Sequence, residues 1–160
     1  MMFLSVKKVS IALMIAFFGL GYNFVEASKQ ASHPQVNIAV LLIEDGKLLL
    51  GLHQDAHGVG TWAPPFGCLE HGEQLENCAY RLALDQTGTV LNSVGFYALT
   101  NDVFENLGKH ELTIFMASTA FQADSNSYQL DNSIDWQWFA LNGLPTNICV
   151  PLQHLIQLHQ

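Results

Sequence analysis

Basic side chains are scarce in this chain. Lys and Arg together number 6 against 14 Asp and Glu, and the formal net charge is −8. A surface with so few cations repels long polyanions, which argues against nucleic acid as a partner. It also makes a triphosphate hard to hold without metal ions. Cysteine is scarce as well, at 3 residues. Cys68, Cys78 and Cys149 form an odd set with no zinc-type spacing, so no disulfide framework or zinc cluster is expected, and they read as small apolar residues. Internal repeats and low-complexity tracts are missing, which excludes a solenoid or a biased tail. A full-length membrane span is also missing. The apolar run that ends at Val25 is short and is broken by Gly19, Gly21 and Asn23.

The residues that are present include 49% hydrophobic ones, enough for one good core. Part of that share sits at the N-terminus. Lys7 and Lys8 precede the uncharged run Val9 to Leu20, and Val25-Glu26-Ala27 places small residues at −3 and −1 of a cleavage site. Residues 1–27 therefore read as a signal peptide, with an uncleaved anchor as the alternative. The expected location is secreted or periplasmic, with no stable membrane span once the signal is removed. Residues 28–35 form a polar, flexible lead, and residues 36–160 form one domain.

Within that domain, Val36–Ile43 and Lys47–Leu52 read as a β-hairpin across the turn Glu44-Asp45-Gly46. His53–Thr61 and the Pro/Gly-rich Trp62–Gly72 read as loops. Gln74–Gln86 is the clearest helix: Leu75, Cys78, Ala79, Leu82 and Ala83 recur at helical spacing, and Gly88 stops it. Val90–Asn101 and Leu112–Phe121 read as strands around a polar loop, Asp102–Glu111. After a loop from Gln122 to Ile134, Asp135–Leu141 reads as extended and Pro151–His159 as a terminal helix. This order gives an α+β fold, an α/β/α sandwich with a mixed sheet flanked by helices.

Gly67 to Thr89 reads GCLEHGEQLENCAYRLALDQTGT. Five residues separate Gly67 from Glu73, seven separate Glu73 from Arg81, and Gly88 follows. The approach is Trp62-Ala63-Pro64-Pro65-Phe66-Gly67, then Glu70 and Gly72-Glu73. The segment resembles the Nudix box, G-x5-E-x7-R-E-U-x-E-E-x-G-U, with U a bulky aliphatic residue. It departs from that pattern at Leu82 (Glu in the family), at Asp85-Gln86 (Glu-Glu), at Thr89 (aliphatic) and at Phe66 (the first of paired glycines). The resemblance extends over roughly Val36 to Leu158. Lys47–Gly51, Leu112–Met116, Asp135-Trp136-Gln137-Trp138-Phe139 and Leu144-Pro145 are similar to members that cleave nucleoside triphosphates or related small nucleotides.

The resemblance implies Nudix hydrolase chemistry, cleavage of a phosphoanhydride, with Mg2+ or Mn2+ neutralising phosphate oxygens and activating water. It implies that Glu73 and Arg81 form a salt bridge holding loop to helix, and that the helix face at positions 82, 85 and 86 carries the metal ligands. Here only Asp85 on that face is anionic. Losing two carboxylates worth a few kcal/mol each costs roughly three to six decades in rate, at about 1.4 kcal/mol per decade. The expectation is therefore weak hydrolysis. The alternative is a catalytically inactive nucleotide-binding or protein-interaction module, exposing an apolar patch at Leu82. Expected site residues are Glu73, Arg81 and Asp85 for catalysis and Asp85 and Glu105 for metal. His53, Trp138 and Phe139 are expected to bind substrate. His53 stands where relatives often carry Arg or Lys. Glu70, Asp102 and Glu111 are further loop carboxylates near the expected pocket, although a solvated loop carboxylate is the commoner role for such residues. His53, His57 and His71 offer a softer metal such as zinc, against the commoner role of surface histidines. The expected partner is a small nucleotide or diphosphate ligand, and a homodimer is compatible with the resemblance.

Overall fold

Alternation along the first strand sets the architecture. The computed structural model describes residues 33–54, 60–122 and 134–158. Strand β1 (Gln35–Glu44) sends Ile38, Val40 and Leu42 to one face of the sheet and Ala39 and Leu41 to the other. Both faces are therefore apolar and both need a cover. Helix α1 (Leu75–Thr87) covers the first face with Cys78, Ala79, Leu82 and Ala83. Helix α2 (Val150–Gln157) covers the second with Leu152 and Leu155, next to Phe115 and Ile148. The two cores are separated by the sheet itself.

The sheet is mixed, as expected. β1 lies between β2 (Lys47–His53) and β7 (Lys109–Ser118), antiparallel to the first and parallel to the second. β3 (Thr61–Ala63) and β9 (Asp135–Ala140) both pair with β2, β4 (Phe66–Cys68) pairs with β1, and β6 (Gly95–Phe104) forms the far edge against β7. A separate two-stranded ribbon joins β5 (Val90–Leu91) to β8 (Phe121–Gln122). Asp45 and Gly46 both have positive φ, so the β1–β2 turn uses the two residue types that tolerate it best. Helix α1 ends at Gly88, whose φ of 66° turns its N–H back onto Leu84 O. Thr89, aliphatic in the family pattern, is fully buried, and Thr87 Oγ1 bonds both Thr89 Oγ1 at 2.8 Å and Ala83 O at 2.6 Å.

Four segments differ from expectation. Val90–Asn101 is not one strand: Val90–Leu91 forms β5 in the ribbon with β8, and β6 begins only at Gly95. Asp102–Glu111 is not a loop: β6 runs on to Phe104, a 3-10 turn spans Glu105–Leu107, Gly108 adopts φ 60°, and β7 restarts at Lys109 with Phe104 opposite. Its polar residues are satisfied in place, His110 by Asn101 and Asp102 by His154, so they need no exposed loop. The Trp62–Gly72 segment contains two short strands because β2 and β1 pair its backbone in turn. The Leu112–Phe121 strand breaks at Ser118, and Phe121 joins β8 instead. The expected signal peptide and His57 lie outside the described residues.

Candidate functional site

The entry to α1 is held by one bidentate ion pair. Arg81 Nε donates to Glu73 Oε1 and Arg81 Nη2 to Glu73 Oε2, both at 2.8 Å. The Glu70 N–H adds a third bond to Glu73 Oε2 at 3.0 Å, and Arg81 also reaches Cys68 O at 3.4 Å. The guanidinium holds the Glu73 carboxyl far below the usual range, at about 2. The same pairing pushes Arg81 higher still. Burial, reinforced by Glu73, pushes the Cys78 thiol up to about 12, so it stays a neutral apolar group. Glu73 and Arg81 thus bind loop to helix, with their charges spent on each other.

The rest of the helix face is organised differently from a metal site. Leu82 is only 5% exposed and belongs to the core between α1 and the sheet. Its Cδ2 lies 2.7 Å from where a Cβ on Gly67 would stand, so it fills the space above that glycine. The exposed apolar patch expected at Leu82 is therefore absent, because the side chain turns inward. Gln86 makes two bonds to one residue of the preceding loop: Phe66 N–H donates to Gln86 Oε1 at 3.3 Å, and Gln86 Nε2 donates to Phe66 O at 2.7 Å. Asp85 is exposed, and Glu105 is exposed in the 3-10 turn.

A cavity of about 400 Å3 lies on the α2 face of the sheet. The parallel pairing of β1 with β7 builds its floor from three matched rows: Gln35 beside Glu111, Asn37 beside Thr113, and Ala39 beside Phe115. The floor grades from polar at the strand starts to apolar further in. Asn37 is buried, donating from Nδ2 to Glu111 Oε2 and accepting at Oδ1 from Gln35 Nε2, each at 3.3 Å. Gln35 Nε2 also lies 2.7 Å from Cys68 Sγ. Pro64, Phe66 and Gly67 supply one wall, and Ile148, Pro151 and Gln153 supply the other. Cys149 lines the cavity too; burial raises its thiol to about 11 and keeps it neutral.

Of the expected substrate residues, His53 lines this cavity, edge-on to Phe66 at 5.0 Å. Trp138 and Phe139 do not. Trp138 stacks on Phe121 at 6.2 Å in the α1-side core, and Phe139 meets Trp62 edge-on at 4.8 Å in the α2-side core. Consecutive strand residues face opposite ways, and both cores claimed one ring. Asp85 and Glu105 are likewise absent from the lining, whereas Glu111 is part of it. Gln35 and Asn37 escaped the sequence reading. Their signal was two polar residues at alternate positions of an otherwise apolar strand.

This donor set does not suit a hard divalent cation on α1. Such an ion needs several converging oxygens. Here the Gln86 oxygen and the Phe66 carbonyl are each engaged by an N–H, Leu82 offers methyl groups, and Asp85 is the only carboxylate of the three positions. Among the described residues, no group of three or more His, Cys, Asp or Glu is placed to hold a metal ion. His53 and His71 therefore do not form part of such a cluster.

Comparison with known proteins agrees with the architecture. A model of the NUDIX domain matches residues 32–158. The chain is 30% identical over 108 residues to an oxidized purine nucleoside triphosphate hydrolase of Danio rerio, and 28% identical over 109 residues to that of Mus musculus. Each match covers 66% of this chain and 66% of the relative, just short of two thirds. Among solved structures, the MutT NUDIX hydrolase from Burkholderia pseudomallei superposes with a TM-score of 0.71 at 20% identity, covering 78% of this chain and 97% of that one. The NUDIX domain of Shewanella oneidensis NrtR complexed with ADP ribose gives 0.59 at 17% identity, covering 88% and 96%.

Proposed function

Because the chain belongs to the Nudix family, whose hydrolases generally use divalent metals, we propose that it recognises a small nucleotide and hydrolyses its phosphoanhydride weakly. The ligand class is a nucleoside triphosphate or a nucleoside diphosphate derivative, with its heterocycle in the cavity between β1, β7 and α2. The names of the vertebrate relatives and the ADP ribose held by one structural neighbour support a small nucleotide. The cavity supports it too: its volume of about 400 Å3 is in the range of small-ligand sites, and it combines apolar walls with a few convergent polar groups. One observation carries the weak turnover. Leu82 is folded into the core and Gln86 is bonded to the loop, so the helix face presents one carboxylate where the family pattern has three.

Any residual turnover is expected to require magnesium or manganese. The test is a diphosphate-release screen over nucleotides with the native chain, Gln86→Glu, and Leu82→Glu with Gln86→Glu. The native chain is expected to run at least about three decades below an intact family member, and a Glu-bearing variant to gain at least about tenfold. The single variant keeps the comparison valid if a carboxylate at the buried position 82 prevents folding. Robust magnesium-dependent turnover by the native chain would overturn the proposal.

Export and self-association form part of the same proposal. Export is supported by Lys7 and Lys8, the apolar run behind them, and the small residues at 25 and 27. Mature protein beginning near residue 28 outside the cytoplasm is the expected finding. A homodimer is supported by β6, the sheet edge, which exposes Phe96, Leu99 and Val103 and carries no Lys or Pro to blunt pairing. Its one charge, Asp102, is turned inward, so pairing two copies brings no like charges together. Sedimentation of the native chain beside Leu99→Lys distinguishes a dimer through this edge from a monomer.

A further inference from the structure

The seam between the β4 loop and α1 contains two carbonyl oxygens, an amide, a guanidinium and a leucine, and each is already occupied. Arg81 is bound by Glu73 and reaches Cys68 O. Leu82 fills the volume above Gly67. Gln86 satisfies both the N–H and the carbonyl of Phe66. The Gln86 amide group is central because it is a donor. Its N–H stands against the Phe66 carbonyl, so positive partial charge meets that oxygen without an ion. A glutamate at position 86 would instead set anionic oxygens against the carbonyl, an arrangement that a cation between them would relieve.

We propose that the Gln86–Phe66 amide clasp closes this seam in place of a divalent cation. The clasp rests on the seam geometry alone, so it stands or fails separately from the nucleotide reading given above.

The clasp is tested by thermal unfolding of the full chain in EDTA and in excess MgCl2 or MnCl2. The native midpoint is expected to move by less than about 1 °C, since nothing binds the folded state selectively. Gln86→Glu is expected to melt lower in EDTA and to regain stability when Mn2+ is added. Native protein stabilised by either ion, with Mn2+ held in its electron paramagnetic resonance spectrum, would overturn the clasp. A Gln86→Glu variant as stable as the native chain in EDTA would overturn it too.

Discussion

Removing the His154 side chain is expected to destabilise the fold and loosen one wall of the cavity. Asp102, on β6, is a carboxylate whose side chain is 1% exposed. Thr100 Oγ1 donates to its Oδ2 at 2.9 Å, and His154 Nδ1, from α2, bonds its Oδ1. A ring N–H at Nδ1 donates to this oxygen in the matching neutral tautomer or in the imidazolium. Taking one partner from a fully buried charge costs about 3–5 kcal/mol. The His154 side chain is 48% exposed, so water reaches Oδ1 once the ring is gone, and the expected cost of His154→Ala falls to about 1–3 kcal/mol. For a domain of this size that corresponds to a lower melting temperature by roughly 3–15 °C. Asp102→Asn keeps an oxygen for His154 and removes the charge, so it should cost about 1 kcal/mol. The double variant should then be less destabilised than the sum of the singles, by about 1–2 kcal/mol. Chemical denaturation of the four proteins measures the cycle, with the exposed Gln157→Ala as the control on the same helix. Because Pro151 and Gln153 of α2 line the cavity, ligand affinity should also fall in His154→Ala. A His154→Ala protein within about 0.5 kcal/mol of native, or strict additivity in the cycle, refutes the coupling of α2 to β6 through this pair.

Other perturbations follow from the same contacts. The Arg81 guanidinium holds the Glu73 carboxyl down at about 2, below its ordinary 4.5, so the pairing supports folding above pH 4.5 and that support is lost as the pH falls through about 2. Denaturation midpoints of native and Arg81→Met proteins should therefore differ most near neutral pH and converge as the pH approaches 2. A Cβ on Gly51 would stand 2.6 Å from Ile134 Cγ2 and 2.9 Å from the Trp136 ring, so Gly51→Ala should cost about 1–3 kcal/mol in urea unfolding. Leu82→Ala should cost about 2–5 kcal/mol as a core truncation. Gly67→Ala, which otherwise crowds Leu82 Cδ2, should be better tolerated in that background, a non-additivity that thermal melts of the four proteins resolve.

The local elements were legible because their signals are local. The β1–β2 hairpin follows from two apolar runs around Asp45-Gly46, and α1 follows from five apolar residues at helical spacing with Gly88 behind them. What stayed hidden depends on distant partners. Asp102 reads as a loop residue until His154, 52 positions away, meets it from α2. Asn37 reads as an interruption in a strand until Glu111 accepts a hydrogen bond from its Nδ2, and the parallel β1–β7 pairing that brings them together leaves no trace in either segment alone. Trp138 and Phe139 offered suitable rings for a base, but ring chemistry does not say which face of a strand looks toward a ligand.

The departures from the motif also gain meaning from their contacts. Taken one at a time, Leu82, Gln86 and Phe66 read as three losses. In the folded chain they adjoin one another along one seam: Gln86 bonds both backbone groups of Phe66, and Leu82 covers Gly67, the next residue. Loss of ligands without replacement would leave a cleft of unsatisfied carbonyls or a leucine in water, each of which costs stability. Instead the carbonyl has a donor, the amide has two partners and the leucine has a place in the core. A carboxylate restored at 82 alone would enter that core without a partner, and one restored at 86 alone would face the Phe66 oxygen. Each position therefore constrains the others, which is the behaviour of a rebuilt seam with its own hydrogen bonds and packing.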